Sequence, residues 1–210
     1  MNRPFIFITS LFLSGMILSC RNEAHLPGSK ASGHQIVLVP FKGADTGIVN
    51  EVQTRLRKRL NAEIRIAQQV YLPSSAYYEK RRRYVADSLL VFLKKYSNSR
   101  SEKVLGISAH DISTKKGQHA NYGIMGLGYC PGESCVISSF RVKRSSRNKE
   151  HFTRRMTVLA LHELGHTYSL PHCKNDPCLM RDAEGKMNLD NGESYCDDCS
   201  FYLRLRGILK

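Results

Sequence analysis

His162-Glu-Leu-Gly-His166 sets two imidazoles four residues apart. On a helix that spacing puts both on one face, one turn apart, as two nitrogen ligands of a single zinc ion require. Glu163 stands beside them. If a third histidine completes the protein ligands, its carboxylate is free to polarise water at the metal as a general base. His172 follows His166 by six residues. A continuing helix would carry it roughly 9 Å along the axis, so the helix must stop and the chain double back. Pro171 favours that stop, because it disfavours helical φ/ψ at Leu170 and has no N–H to donate. Three histidines leave a fourth position for water or substrate, the mark of a catalytic rather than a structural zinc.

A cysteine set begins where the histidines end. Cys173-x4-Cys178 and Cys196-x2-Cys199 are two close pairs separated by a loop, a spacing that suits one tetrahedral zinc held by four thiolates. Disulfides are the competing reading if the compartment is oxidising. The expected cofactors are therefore two zinc ions, one catalytic and one structural. Cys130 and Cys135 flank a four-residue loop and stand outside that set; they bridge to one another or remain free thiols.

These residues need a scaffold. A buried strand is expected at Ile36–Pro40, then a helix capped by Asp45 or Thr46 and running to about Asn61, with Ile48, Val52, Leu56 and Leu60 on one face. Glu63–Tyr71 reads as a strand, 75–97 as a second helix and Val104–Ser108 as a third strand. Two further strands are expected near Tyr122–Tyr129 and Cys135–Val142, as a hairpin or an irregular edge. A third helix, from about Glu150 to Tyr168, carries the first two histidines. The alternation argues an α/β fold whose early strands are mostly parallel.

The chain has 210 residues and a net charge of +14, a balance that would suit nucleic acid were it in the cytoplasm. Its first residues argue otherwise. Arg3 precedes an apolar segment from Phe5 to about Leu18, ending in Ile17-Leu18-Ser19-Cys20. That pattern is a secretory leader and resembles the bacterial lipobox. The resemblance implies cleavage before Cys20 and lipidation of its thiol, with an ordinary signal peptide or membrane anchor as the alternative. Residues 1–19 are then a lipoprotein signal peptide, 20–34 a flexible tether rich in Gly and Ser, and 35–210 one domain. The expected location is the bacterial cell envelope, lipid-anchored and extracytoplasmic. This removes nucleic acid as a partner and leaves the basic runs Arg55–Arg59, Lys80–Arg83 and Arg141–Lys149 as solvated faces, or as surfaces for anionic lipid or acidic peptides.

Taken together, the three histidines, Glu163, the four cysteines and Met180 stand in the order found in the archaemetzincins, a branch of the metzincin zinc peptidases, which this chain resembles over roughly residues 35–203. The segments Val104–Ser108, Tyr122–Gly126, Val136–Arg141, Leu72-Pro73 and Arg83-Tyr84 are also similar to family segments. The resemblance implies a twisted mixed sheet, an active-site helix, a Met-turn with Met180 as an apolar floor under the zinc, and an edge strand near 122–129 that binds substrate backbone. It further implies a zinc metallopeptidase acting on peptides or proteins, here as a monomer. A zinc-stabilised, non-catalytic binding lipoprotein is the alternative. One departure stands out. The turn residue three past the second histidine is typically Gly, whereas here it is Ser169. Ser169 is expected either at positive φ or in a slightly different turn supported by Pro171. A second oxyanion donor has no spacing signal; Tyr168, His110 and His119 are the candidates.

Overall fold

The computed structural model describes residues 33–99, 101–182 and 189–210. The expected leader, Cys20 and most of the tether lie outside them. The first strand, β1 (Gln35–Pro40), lies between two parallel neighbours, β2 (Glu63–Ile66) and β5 (Glu102–Ser108). The sheet continues through parallel β9 (Ser134–Ser138) to an antiparallel edge strand, β8 (Gly126–Gly128), in the order β2-β1-β5-β9-β8. Residues 36–40 are all buried, so both faces of β1 are covered; its continuous apolar run is what a doubly covered parallel strand needs.

Helix α1 (Thr46–Arg59) starts where Asp45 accepts a hydrogen bond from the Ile48 amide, 3.1 Å, and ends in Arg57-Lys58-Arg59, which complements its dipole. It packs on α4 (Lys149–Thr167), the helix that carries the histidines. Asn148 caps α4 by accepting from the His151 amide, 2.8 Å. Most of α4 is buried all round, as a helix wedged between sheet, α1 and the C-terminal segment must be. The final helix, α5 (Asp197–Leu205), begins at Cys196. No helix among the described residues is long and apolar enough to cross a membrane.

The middle of the chain departs from expectation. Only Ala86–Leu93 is α-helix (α2); residues 74–85 form two 3-10 turns and the short strands β3 (Tyr77–Tyr78) and β4 (Arg83–Val85). Arg82 takes a left-handed conformation, φ 52°, which stops any helix there. β4 pairs with β6 (Ile112–Lys116), and β6 with β7 (His119–Ile124), making a second, four-stranded sheet. β6 was not expected, because Ile112-Ser-Thr-Lys-Lys carries little apolar signal. The strand expected over 122–129 is two: β7 and β8 belong to different sheets, and the Met125 carbonyl between them accepts from the Ser138 amide, 2.7 Å. The last strand ends early because the Ser138 hydroxyl caps a helix, α3 (Ser139–Arg144). The strand expected over 63–71 stops at Ile66, leaving an isolated bridge from Val70 to Phe41.

Candidate metal centres

The end of α4 makes the first site. The Ser169 amide donates to the His166 carbonyl, 2.9 Å, and the Leu170 amide to the Gly165 carbonyl, 3.0 Å. Those two bonds are a Schellman stop, which needs a left-handed residue just past the cap. Ser169 fills that place with φ 75°, and the strain costs about 1–2 kcal/mol relative to a right-handed residue. The chain then reverses, and the Leu170 carbonyl accepts from Nδ1 of His166, 2.7 Å. The helix stop therefore also orients the second histidine.

Nδ1 of His162 donates in the same way to the Leu179 carbonyl, 2.8 Å. A carbonyl only accepts, so both Nδ1 atoms carry the proton and both Nε2 atoms present lone pairs. Yet the two Nε2 atoms lie 3.1 Å apart. Two neutral acceptors at that distance repel unless a cation lies between them. Tetrahedral zinc with nitrogen at 2.0–2.1 Å sets a nitrogen–nitrogen edge of about 3.3 Å, close to what is found. Burial, reinforced by the neighbouring histidines, drives the His162 pKa down to about 4 and lowers that of His166, so both are neutral at pH 7, the form a metal ligand needs. His172 comes back beside them, with ring centroids 5.4 and 4.8 Å from His162 and His166, and one ligand atom from each of the three lies within 4.8 Å of the others. Asp182 sits 3.5 Å from Nδ1 of His172.

Glu163 points from α4 toward β8. Among the described residues no hydrogen bond or ion pair reaches its carboxylate, and burial lifts its pKa to about 8. Gly126 makes room for it: a Cβ there would lie 2.4 Å from Oε1. Glu163, the histidines and residues 122–128 line a cleft of about 680 Å³. Met180 is fully buried beneath, its Sδ against Gly165.

The cysteines form a second cluster in which one Sγ from each of Cys173, Cys178, Cys196 and Cys199 lies within 4.8 Å of the rest. Sγ separations are 3.8 Å for Cys173–Cys196 and 3.9 Å for Cys178–Cys199. A disulfide needs about 2.05 Å; the edge of a zinc–thiolate tetrahedron is about 3.8 Å. Amides of Asn175 and Cys196 donate to Cys173 and Cys178, each at 3.4 Å, which favours thiolate. Burial pushes the Cys196 thiol up, but the Cys199 backbone, Asn175 and the neighbouring thiols outweigh it and hold it at about 7. Residues 178–180 serve both clusters. Cys178 joins the thiols, the Leu179 carbonyl holds His162, and the Met180 carbonyl accepts from the Cys173 amide, 2.9 Å.

Other expectations fare differently. Cys130 and Cys135 are not bridged: Cys135 is buried in β9, while exposed Cys130 turns its thiol to the Leu170 carbonyl, 3.4 Å. None of Tyr168, His110 and His119 lines the cleft. Tyr168 packs on His34 and Lys103, and His110 on Tyr84. Sequence reasoning missed the Arg83–Asp111–Arg141 ion cluster near the cleft and the clamp at Asp190. Only Gly126-Leu-Gly128, with its two small residues on one face of a strand, hinted at the close approach of β8 to Glu163.

Comparison with known proteins finds relatives of the whole domain. The model of Peptidase family M54 matches residues 36–205. An archaemetzincin of Halobacterium salinarum is 27% identical over 173 residues, covering 79% of this chain and 96% of that protein. The crystal structure of archaemetzincin from Archaeoglobus fulgidus complexed with malonate is similar at 25% identity and a TM-score of 0.69, over 80% of this chain and 99% of that one. That of Methanopyrus kandleri matches in fold at 24% identity and a TM-score of 0.70, over 85% and 97%.

Proposed function

Because the chain belongs to peptidase family M54, the archaemetzincins, and is a zinc metallopeptidase, we propose that His162, His166 and His172 hold its catalytic zinc and that Glu163 is its general base. The observation that carries this is the 3.1 Å approach of two unprotonated Nε2 atoms beside a buried, unpartnered carboxylate. Zinc bound there supplies Lewis acidity, bringing the pKa of water toward neutrality and polarising the scissile carbonyl. A peptide lies along the free edge of β8 as an added strand, which aligns its carbonyl with the histidines. Glu163 takes the proton from the attacking water and returns it to the leaving amine. Burial lifts the Glu163 pKa to about 8, and a dication held by the histidines would favour its ionised carboxylate, the form a general base needs.

Cys173, Cys178, Cys196 and Cys199 hold a second, structural zinc in this reading. It fixes the strap 178–180 that orients His162 and floors the site. The lipid anchor at Cys20 would keep the enzyme at an envelope membrane, outside the cytoplasm, a reading that rests on sequence alone.

The experiment is a zinc count on the purified domain with turnover of a peptide library by wild type and Glu163→Ala. Two zincs per chain are expected, with kcat/KM about 10²–10⁴-fold lower in the variant and both metals retained. Unchanged turnover in a fully loaded Glu163→Ala protein would remove the general base. One zinc per chain would remove the cysteine site.

A further inference from the structure

Helix α5 buries Cys199 and Leu203 and turns its other side outward. Phe201 and Leu205, one turn apart on that side, are 69% and 75% exposed. Arg204 and Arg206 flank them, Arg206 resting over the Tyr202 ring at 4.5 Å. The C-terminal residues then run along the end of α1: the Asn61 amide side chain donates to the Gly207 carbonyl, 3.1 Å, and the Lys210 amide to the Arg59 carbonyl, 3.0 Å. Lys58 and Lys210 thereby join the same end of the molecule. None of these four cations forms an ion pair among the described residues. The acidic Asp197 and Asp198 sit at the opposite end of α5, beside the cysteines; the α-carboxylate of Lys210 and exposed Glu63, whose amide donates to the His34 carbonyl, 2.9 Å, are negative groups near the basic end.

The tether enters the domain at this same place. Nε2 of His34 meets the Arg206 carbonyl at 2.9 Å. From Cys20 to His34 there are 14 residues, which at about 3.5 Å per residue reach about 50 Å at most. A lipid on Cys20 would keep His34, and with it this face, within that reach of a bilayer.

We infer that the end of the molecule formed by Phe201, Leu205, Arg204, Arg206, Lys58 and Lys210 docks on an anionic phospholipid bilayer. The two apolar side chains enter the headgroup boundary and the cations meet lipid phosphates. Tyr71 and Val91, the other highly exposed apolar residues, lie on other elements, and neither combines an exposed apolar neighbour one turn away with the tether's entry point.

The test uses residues 31–210, a compact unit that contains the core formed by the described residues and matches relatives along almost their full length. It carries no anchor, so the result is independent of lipidation. Cosedimentation with phosphatidylglycerol-containing vesicles and with pure phosphatidylcholine is compared for wild type, Phe201→Ser/Leu205→Ser and Arg204→Ala/Arg206→Ala. Binding to anionic vesicles alone is expected, weakened about fivefold per cation removed and weakened also by the apolar pair. The chain has no tryptophan, so Phe201→Trp reports insertion by a blue shift with anionic vesicles only. Zinc content and circular dichroism check that each variant is folded. Equal binding to both vesicle types, or none, overturns the inference. So does a concentration-dependent dimer abolished by Phe201→Ser/Leu205→Ser without vesicle binding, which would assign the face to a second copy.

Discussion

Ser169 shows how one residue can hold strain that the site uses. Its left-handed φ completes the stop of α4 and delivers the Leu170 carbonyl to His166. Glycine would adopt the same conformation without the Cβ penalty, but it also enlarges the entropy of the unfolded chain. Ser169→Gly is therefore expected to stabilise the zinc-loaded domain by a net amount of about 0.5–1 kcal/mol, read by chemical denaturation, with kcat/KM unchanged. A loss of stability would mean that the hydroxyl contributes more than the turn costs. The four-residue interval between His162 and His166 and the Glu163 beside them were legible in the sequence, since helical period alone places them. The unpartnered state of the Glu163 carboxylate was not, because it depends on β8 arriving from another part of the chain.

At the scale of elements, α4 is held by charge as well as by packing. Asp190 accepts from Arg154 and Arg155 and meets Nε2 of His151, all on the first half of the helix. The hydrogen bond from Arg155, reinforced by His151, holds the Asp190 carboxyl well below the usual carboxylate range. The ionised form is thus favoured by folding. The stability it contributes is present above the unfolded pKa of about 3.9 and is lost as pH falls further below it. Asp190→Asn is expected to cost about 2 kcal/mol at pH 7. It should also flatten the acid limb of a stability-versus-pH curve below about pH 4. An acid limb identical to wild type would show that the clamp is not coupled to folding. The same scale explains the misread middle segment. Tyr77 and Tyr84 have helical spacing, but the basic stretch between them includes left-handed Arg82, and pairing with β6 supplies the backbone hydrogen bonds that a helix would otherwise have made.

Across the whole molecule, the histidine and cysteine clusters are mechanically one device, because residues 178–180 contribute to both. Cys178→Ser is expected to lose the structural zinc and also to weaken the histidine site about tenfold or more, as outer partners of metal ligands do. Zinc titration of the two sites checks this; full affinity at the histidines in the variant would show that the strap stands without its metal. By itself the sequence brought out the histidine and cysteine sets, the α/β class and the parallel early strands, because each is written in local spacing: four residues for a helical pair, close cysteine pairs, continuous apolar runs for covered strands. It also located the turn at Ser169. It left open whether the four cysteines bridge in pairs, where the strand over 122–129 divides, and which face α5 exposes. Only the tertiary structure decided those points. Sulphur separations of 3.8 and 3.9 Å, the approach of β8 to Glu163, and the meeting of His34 with Arg206 all join residues far apart in the chain. Local periodicity carries no record of such distances; they are set by how the elements pack.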